Sequence, residues 1–97
     1  MIRSFRGPAA EDLFQGRSTR AVRQAIPQAL WRIAVRKLEA LDSAEELHDL
    51  RVPPGNRLEQ LKGDRVGQYS IRINDQYRIC FRWSEAGPED VEIVDYH

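Results

Sequence analysis

Two consecutive prolines, Pro53 and Pro54, divide this sequence into two parts with different periodicities. Proline has no backbone N–H and favours an extended conformation in the residue before it, so neither a helix nor a central strand is expected to run through the pair. Before the prolines, apolar residues recur every three or four positions; after them, apolar and polar residues alternate. The sequence therefore predicts an α+β fold, in which N-terminal helices pack on one face of an antiparallel sheet.

The first part of the sequence predicts mainly helices. The longest is expected over residues 26–42, and its apolar stripe consists of Ile26, Leu30, Ala34, Leu38 and Leu41. A shorter helix is predicted over residues 9–14. Ser43 and Glu46 have the spacing of a capping box, which predicts another short helix after them. Weak alternation in residues 1–6 predicts a short first strand.

The second part predicts a hairpin over the stretch GQYSIRINDQYRICFRW. Its alternating apolar residues are Ile71, Ile73, Tyr77, Ile79, Phe81 and Trp83. Asn74 and Asp75 are predicted to form a two-residue turn between the strands. Residues 85–90 are predicted to be a loop, and residues 91–96 the last strand.

Alternation in this hairpin places three arginines, Arg72, Arg78 and Arg82, on the face turned away from the helices. With no acid among them, they are candidates for binding a phosphate group. Arg65, in the basic turn that precedes the hairpin, is a fourth candidate. The alternative is a solvated face whose arginines only discourage pairing with another sheet.

The chain carries 15 Lys and Arg and 15 Asp and Glu, so its formal net charge is zero. The charges are nevertheless segregated. Residues 1–41 hold eight bases against three acids, and residues 51–82 hold seven against three, whereas residues 42–50 and 83–97 hold acids only. Because basic patches attract phosphate backbones, a neutral total does not exclude a nucleic-acid partner.

A single cysteine, Cys80, excludes an internal disulfide and is typical of a reducing compartment. Residues 1–8 contain no apolar run long enough for a signal peptide, and no later segment has the length and hydropathy of a membrane span. We therefore expect a cytoplasmic protein with no membrane partner. Two histidines and one cysteine do not make a typical metal site, so neither a metal nor another cofactor is predicted.

Three residues with acid–base or hydrogen-bonding groups, Asp95, Tyr96 and His97, stand at the end of the last predicted strand and after it. If alternate residues point inward, Tyr96 lies on the arginine side. Asp95 and His97 then point towards the helices unless the strand bends. These groups are suited to proton transfer, and an ordinary polar terminus is the alternative. The pattern alone favours an ordinary polar terminus.

Several stretches together resemble the HigB branch of the RelE/ParE toxin superfamily: PPGNRLEQLKGDRVGQYSIRINDQYRICFRW, VEIVDYH, MIRSF and KLEALDSAEELHDL. The resemblance implies a single RelE-like toxin domain over residues 1–97, part of a type II toxin–antitoxin pair. Such a toxin is expected to be a ribosome-dependent endoribonuclease that cuts mRNA in the A site without a metal. The implied partner is a HigA-type helix-turn-helix antitoxin, and operator DNA is expected to be bound only through that antitoxin.

The resemblance also implies roles for individual residues. The implied catalytic residues are Asp95, Tyr96, His97, Lys62 and Arg78. In metal-free RNA cleavage the ribose 2′-hydroxyl attacks the adjacent phosphate, which requires positioning, charge stabilisation and proton transfer. The basic groups are expected to hold the phosphate, Tyr96 to stack on a base, and His97, or Asp95 through it, to transfer protons. Some family members have a histidine where this chain has Glu59, so Glu59 is a possible base.

Two other functions remain open at this stage. A ParE-like inhibitor of gyrase would share the fold without needing acid–base residues after the last strand. A non-catalytic, partner-binding relic of the fold would be consistent with the glutamate at position 59.

Overall fold

The computed structural model describes residues 1–96 of the 97-residue chain. Its helices are α1 (Pro8–Phe14), α2 (Arg20–Ala25) and α3 (Trp31–Ser43), with short 3₁₀ turns at Gln28–Leu30, Leu47–Arg51, Pro54–Asn56 and Gly63–Arg65. Its strands are β1 (Glu59–Gln60), β2 (Tyr69–Arg72), β3 (Tyr77–Ser84) and β4 (Gly87–Asp95). The strands form one antiparallel sheet in the order β1-β2-β3-β4. No helix within residues 1–96 is long and apolar enough to cross a membrane.

The helices agree with the sequence except at their boundaries. Helix α1 lies where a helix was predicted, over residues 9–14, and begins one residue earlier at Pro8. The predicted long helix is wrong at its start, because α3 begins at Trp31. Ile26 is extended, with φ −155° and ψ 138°, since it precedes Pro27. The apolar stripe therefore continues across a break between α2 and α3.

The predicted capping box of Ser43 and Glu46 is also wrong. Ser43 is the last residue of α3, which continues one residue further than the predicted helix and so includes the residue expected to cap the next one. The cap instead uses Glu46 and Asp49, and the Asp49 carboxylate accepts a 3.0 Å hydrogen bond from the Glu46 backbone N–H. The segment that follows is a 3₁₀ turn, Leu47–Arg51.

The hairpin is confirmed, but its turn and its partner strand differ from the prediction. Four residues, 73–76, join β2 to β3, and the Asn74 side chain accepts hydrogen bonds from the backbone N–H groups of Gln76 and Tyr77. Strand β4 begins at Gly87, within the predicted loop. A register shift between Cys80 and Arg82 accommodates the longer strand.

Residues 1–6 do not form the predicted strand. They instead follow the outer edge of β4 through a single parallel bridge between Phe5 and Val91. Two hydrogen bonds hold this bridge, from the Arg6 N–H to the Val91 carbonyl at 2.9 Å and from the Val91 N–H to the Ser4 carbonyl at 3.1 Å. The segment therefore covers part of an otherwise open sheet edge.

The hydrophobic core lies between the helices and one face of the sheet, as predicted. Its buried members are Leu13, Val22, Ile26, Ala34, Leu38, Leu41, Leu50, Ile71, Ile73, Ile79, Phe81 and Val91. Alternate residues of β2 and β3 therefore face the helices, and the residues between them, including the arginines, lie on the opposite face. This confirms the predicted α+β arrangement.

Candidate active site

The candidate site lies on the face of the sheet opposite the helices, where Arg78 stands on β3. Arg78 is paired with Arg72 on β2 and with Val94 on β4. Its side chain is only 12% exposed. The alternative of a solvated arginine face is therefore wrong for this residue.

Three neighbours surround the Arg78 guanidinium. One terminal nitrogen donates a 2.7 Å hydrogen bond to the backbone carbonyl of Arg57. The other lies 3.8 Å from a carboxylate oxygen of Glu59 on β1. The Tyr96 ring lies beside the same group, with its centroid 5.6 Å from Cζ of Arg78, a distance at which a cation and an aromatic ring attract each other.

Tyr96 follows directly after β4 and is 38% exposed. Its backbone N–H donates a 2.6 Å hydrogen bond to the Gln76 carbonyl, which ties the residue to the turn between β2 and β3. The ring lies on the arginine side of the sheet, as alternation predicted. His97 lies outside the described residues.

Asp95 lies at the same end of the sheet but has a different neighbour. It is paired with Tyr77 across β3 and β4, and one of its carboxylate oxygens accepts a 3.1 Å hydrogen bond from the Gln76 amide. The carboxylate is exposed. Asp95 thus stands beside Tyr96 along the chain, while Gln76 holds its side chain at the strand end.

The remaining basic candidates are spread over a wider area. Lys62 is exposed just before the Gly63–Arg65 turn, and its ammonium makes no ion pair within residues 1–96. Arg82 is four residues along β3 from Arg78, about 13 Å at 3.3 Å per residue. These two arginines are therefore too far apart to bind one phosphate together.

The expectation of an arginine face without acids is wrong. Asp75 pairs with Arg72, and Glu59 lies near Arg78. Further along the sheet, Asp90 lies 3.6 Å from Arg82 and Glu92 lies 3.2 Å from Arg65. These acids come from other strands and from the turn, so they reach the arginines only after the sheet has formed.

Cys80 lies on the same face of the sheet as Arg78 but is fully buried. Burial raises the pKa of its thiol to about 11, so the thiol stays protonated at neutral pH and is a poor nucleophile. Within residues 1–96, no three His, Cys, Asp or Glu side chains are grouped so that they could hold a metal ion. The described ionisable groups of the site are thus Arg78, Glu59, Tyr96 and Asp95.

Residues 3–97 match the model of the HigB-like toxin family, described as the RelE-like toxin of type II toxin–antitoxin system HigB. The chain belongs to this family. Toxin HigB-1 of Vibrio cholerae is 52% identical to it over 61 residues, which cover 63% of this chain and 64% of that toxin. Endoribonuclease HigB of Proteus vulgaris is 34% identical over 98 residues, covering all of both chains.

Comparison with solved structures supports the α+β fold. A chain of the YoeB–YefM complex from Staphylococcus aureus superposes with a TM-score of 0.61, and the match covers 100% of this chain and 98% of that one. Because the two sequences are only 18% identical, this match shows a shared fold and nothing about activity. The HigB resemblance read from the sequence and the α+β toxin fold are both confirmed.

Sequence reasoning missed two contributors to the site. They are Arg57 and Gln76. Arg57 and Gln76 act partly through backbone carbonyls, for which side-chain patterns carry no signal. The Gly55-Asn56 pair was a signal, but it indicated only a turn.

Proposed function

We propose that this HigB-family protein is an endoribonuclease toxin that cleaves mRNA in the ribosomal A site without a metal ion. The observation that supports this best is the group formed by Arg78 and Tyr96 next to Asp95. It joins a phosphate-binding cation, a ring for base stacking and an exposed carboxylate at one end of the sheet. The full-length relative named as an endoribonuclease supports the same reaction.

Arg78 is the group we assign to the phosphate. In the reaction, the 2′-hydroxyl attacks the adjacent phosphorus, the 5′-oxygen leaves, and a 2′,3′-cyclic phosphate remains. Negative charge accumulates on the phosphoryl oxygens in the transition state, and a cation already held in place stabilises it without reorganisation. The low exposure of Arg78 and its hydrogen bond to the Arg57 carbonyl supply that fixed position.

Tyr96 and the residues beside it are assigned to the other two requirements of the reaction, which are positioning of the RNA and proton transfer. The ring is partly exposed next to Arg78, so a base stacked on it would have its phosphate close to the guanidinium. We assign proton transfer to His97, or to Asp95 acting through it. Glu59 is the alternative base, and the 3.8 Å distance of its carboxylate from Arg78 supports that assignment.

The other basic residues are assigned to the path of the RNA. Lys62, with an exposed ammonium, is proposed to contact the scissile phosphate together with Arg78, and Arg72 lies across the strand pair from Arg78. Arg65 and Arg82 are proposed to contact phosphates further along the strand. Each of these arginines would have to leave its acid partner, Glu92 for Arg65 and Asp90 for Arg82, to bind a phosphate. The Arg82 side chain is 46% exposed, so a phosphate can reach it.

The proposed partners follow from this reaction. They are the ribosome with its A-site mRNA, and a HigA-type helix-turn-helix antitoxin through which operator DNA is bound indirectly. We propose a cytoplasmic location, where ribosomes and mRNA are found. The neighbouring gene is expected to encode the antitoxin.

The experiment that tests the proposed function is mapping of the 5′ ends of cellular mRNA after induction of the toxin. New ends within translated codons are expected in cells that make the wild-type protein and not in cells that make Arg78→Ala. Growth arrest without new mRNA ends, together with DNA breaks, would favour a gyrase inhibitor. No growth arrest at all would favour a non-catalytic relic.

A further inference from the structure

The segment that precedes β1 contains a buried polar side chain that no proposed catalytic step uses. Asn56 is 1% exposed. Its amide nitrogen donates to the backbone carbonyls of Leu50 and Val52, at 3.2 and 3.3 Å. Its amide oxygen accepts a hydrogen bond from the ammonium group of Lys37 on α3. These bonds fasten the Pro54–Asn56 turn to the helical layer.

The next residue, Arg57, connects this turn to the candidate site. Its backbone has φ 46° and ψ 54°, a left-handed conformation that is uncommon for a residue other than glycine. The Arg57 N–H donates to the Pro54 carbonyl at 3.1 Å, and the Arg57 carbonyl accepts the 2.7 Å bond from Arg78. The conformation of the turn therefore determines where this carbonyl lies.

Arg78 depends on that carbonyl more than on its other neighbours. Among residues 1–96, its Nε atom is buried without a hydrogen-bond partner. Its contact with Glu59 is long, at 3.8 Å, and Glu59 is about half exposed. The bond to Arg57 is the only hydrogen bond of the guanidinium within the described chain, so it sets the orientation of the charged group.

We propose that Asn56 is a positioning residue, which orients the Arg78 guanidinium towards the substrate phosphate through the backbone of Arg57. The catalytic consequence rests on the proposed function, whereas the effect on Arg78 itself does not. Lys37 has a supporting role, because it makes no ion pair with the acids of residues 1–96 and instead binds the Asn56 oxygen to α3. The helical layer and the catalytic face of the sheet are thereby linked.

Order in the Arg78 side chain tests the proposal without any activity measurement. In the wild-type protein, ¹⁵N relaxation of the Arg78 Nε–Hε group should give an order parameter near that of a rigid backbone, about 0.85. In Asn56→Ala it should fall below about 0.6, the range of flexible groups. Lys37→Met should lower it in the same direction by a smaller amount. If Asn56→Ala does not fold, the Lys37→Met variant provides the test.

Leu13→Ala is the matched control, because Leu13 is buried in α1, away from the turn. The urea concentration of the samples can be adjusted until the free energy of unfolding of Leu13→Ala equals that of the Asn56 and Lys37 variants. The control should keep Arg78 ordered. An ordered Arg78 in folded Asn56→Ala, or an equal loss of order in the control, would overturn the proposal.

Cleavage on ribosomes supplies the second readout. A misplacement of about 1 Å can cost about a hundredfold in rate, so kcat per folded molecule should fall ten- to a hundredfold in Asn56→Ala, with a smaller change in KM. The control should keep the wild-type kcat. Wild-type kcat in Asn56→Ala with a mobile Arg78 would refute the catalytic part. Absence of cleavage by the wild-type protein would refute the proposed function, and the relaxation data would still decide whether Asn56 positions Arg78.

Discussion

Replacing Arg78 with alanine is expected to impair both catalysis and stability, and the structure separates the two effects. Loss of one preorganised donor to a developing anion typically costs about 10²–10³-fold in rate, so cleavage should fall at least tenfold and by about a hundredfold if the whole contact is lost. The side chain is also mostly buried and donates to the Arg57 carbonyl. A hydrogen bond from a charged group contributes about 1.5–3 kcal/mol to stability.

Arg78→Lys distinguishes charge from geometry. Lysine keeps the positive charge but lacks the planar fork, so it cannot bond the Arg57 carbonyl and present two parallel donors to a phosphate at once. The lysine variant should therefore recover part of the stability and only a small part of the cleavage rate. Arg36→Ala removes an exposed arginine of α3 and is the control for loss of charge alone.

The assay combines single-turnover cleavage of a short mRNA on purified ribosomes with thermal unfolding followed by circular dichroism. A loss of 2 kcal/mol in a domain of this size lowers Tm by about 8–16 °C, so cleavage must be measured well below the Tm of the weakest variant. Arg78→Ala that unfolds earlier but cleaves at the wild-type rate per folded molecule would show that Arg78 is structural. The assignment of the phosphate site would then be wrong.

Removing Tyr96 and His97 leaves β4 complete, so the shortened protein should fold. Growth arrest on induction should nevertheless disappear. Full growth arrest by a chain ending at Asp95 would show that the two removed residues are dispensable. Cleavage at fixed magnesium should continue in the presence of a transition-metal chelator. Mass spectrometry of the fragments should detect a 2′,3′-cyclic phosphate end. A requirement for zinc would contradict this mechanism. Burial raises the pKa of Cys80 from 9.0 to about 11, so the folded state holds this proton more tightly. The free energy of unfolding should then decrease as pH rises from 9.0 to about 11. Urea titrations should show this slope in the wild-type protein and lack it in Cys80→Ala; equal slopes would show that the thiol does not cause it.

Sequence patterns predicted the parts of the fold that depend on local periodicity. Alternation from Ile71 to Trp83 identified the hairpin and the face on which Arg78 stands, because each strand residue turns its side chain opposite to its neighbour. It failed for β4, where the pair Gly87 and Pro88 indicated a loop. The pairing of β4 with β3 overrides that local preference, and a register shift in the sheet accommodates it.

The candidate site was predictable only in part. The position of Tyr96 on the arginine side followed from alternation and is confirmed by its distance from Arg78. The acids near the arginines were not predictable, because Asp90 reaches Arg82 only through the register of two strands. The burial of Asn56 was not predictable either, since burial of a turn residue depends on the helix packed beside it.

The alignment of residues 3–6 with the start of β4 affects the order in which the molecule folds. The hydroxyl of Ser4 accepts a hydrogen bond from the Asp90 N–H, across a separation of 86 residues. Contacts between such distant parts of a chain form slowly, because the loop between them must first be closed. Strand β4 is therefore expected to gain its outer neighbour late. In a nascent chain, the edge formed by residues 3–6 and the start of β4 is therefore expected to be among the last contacts to close.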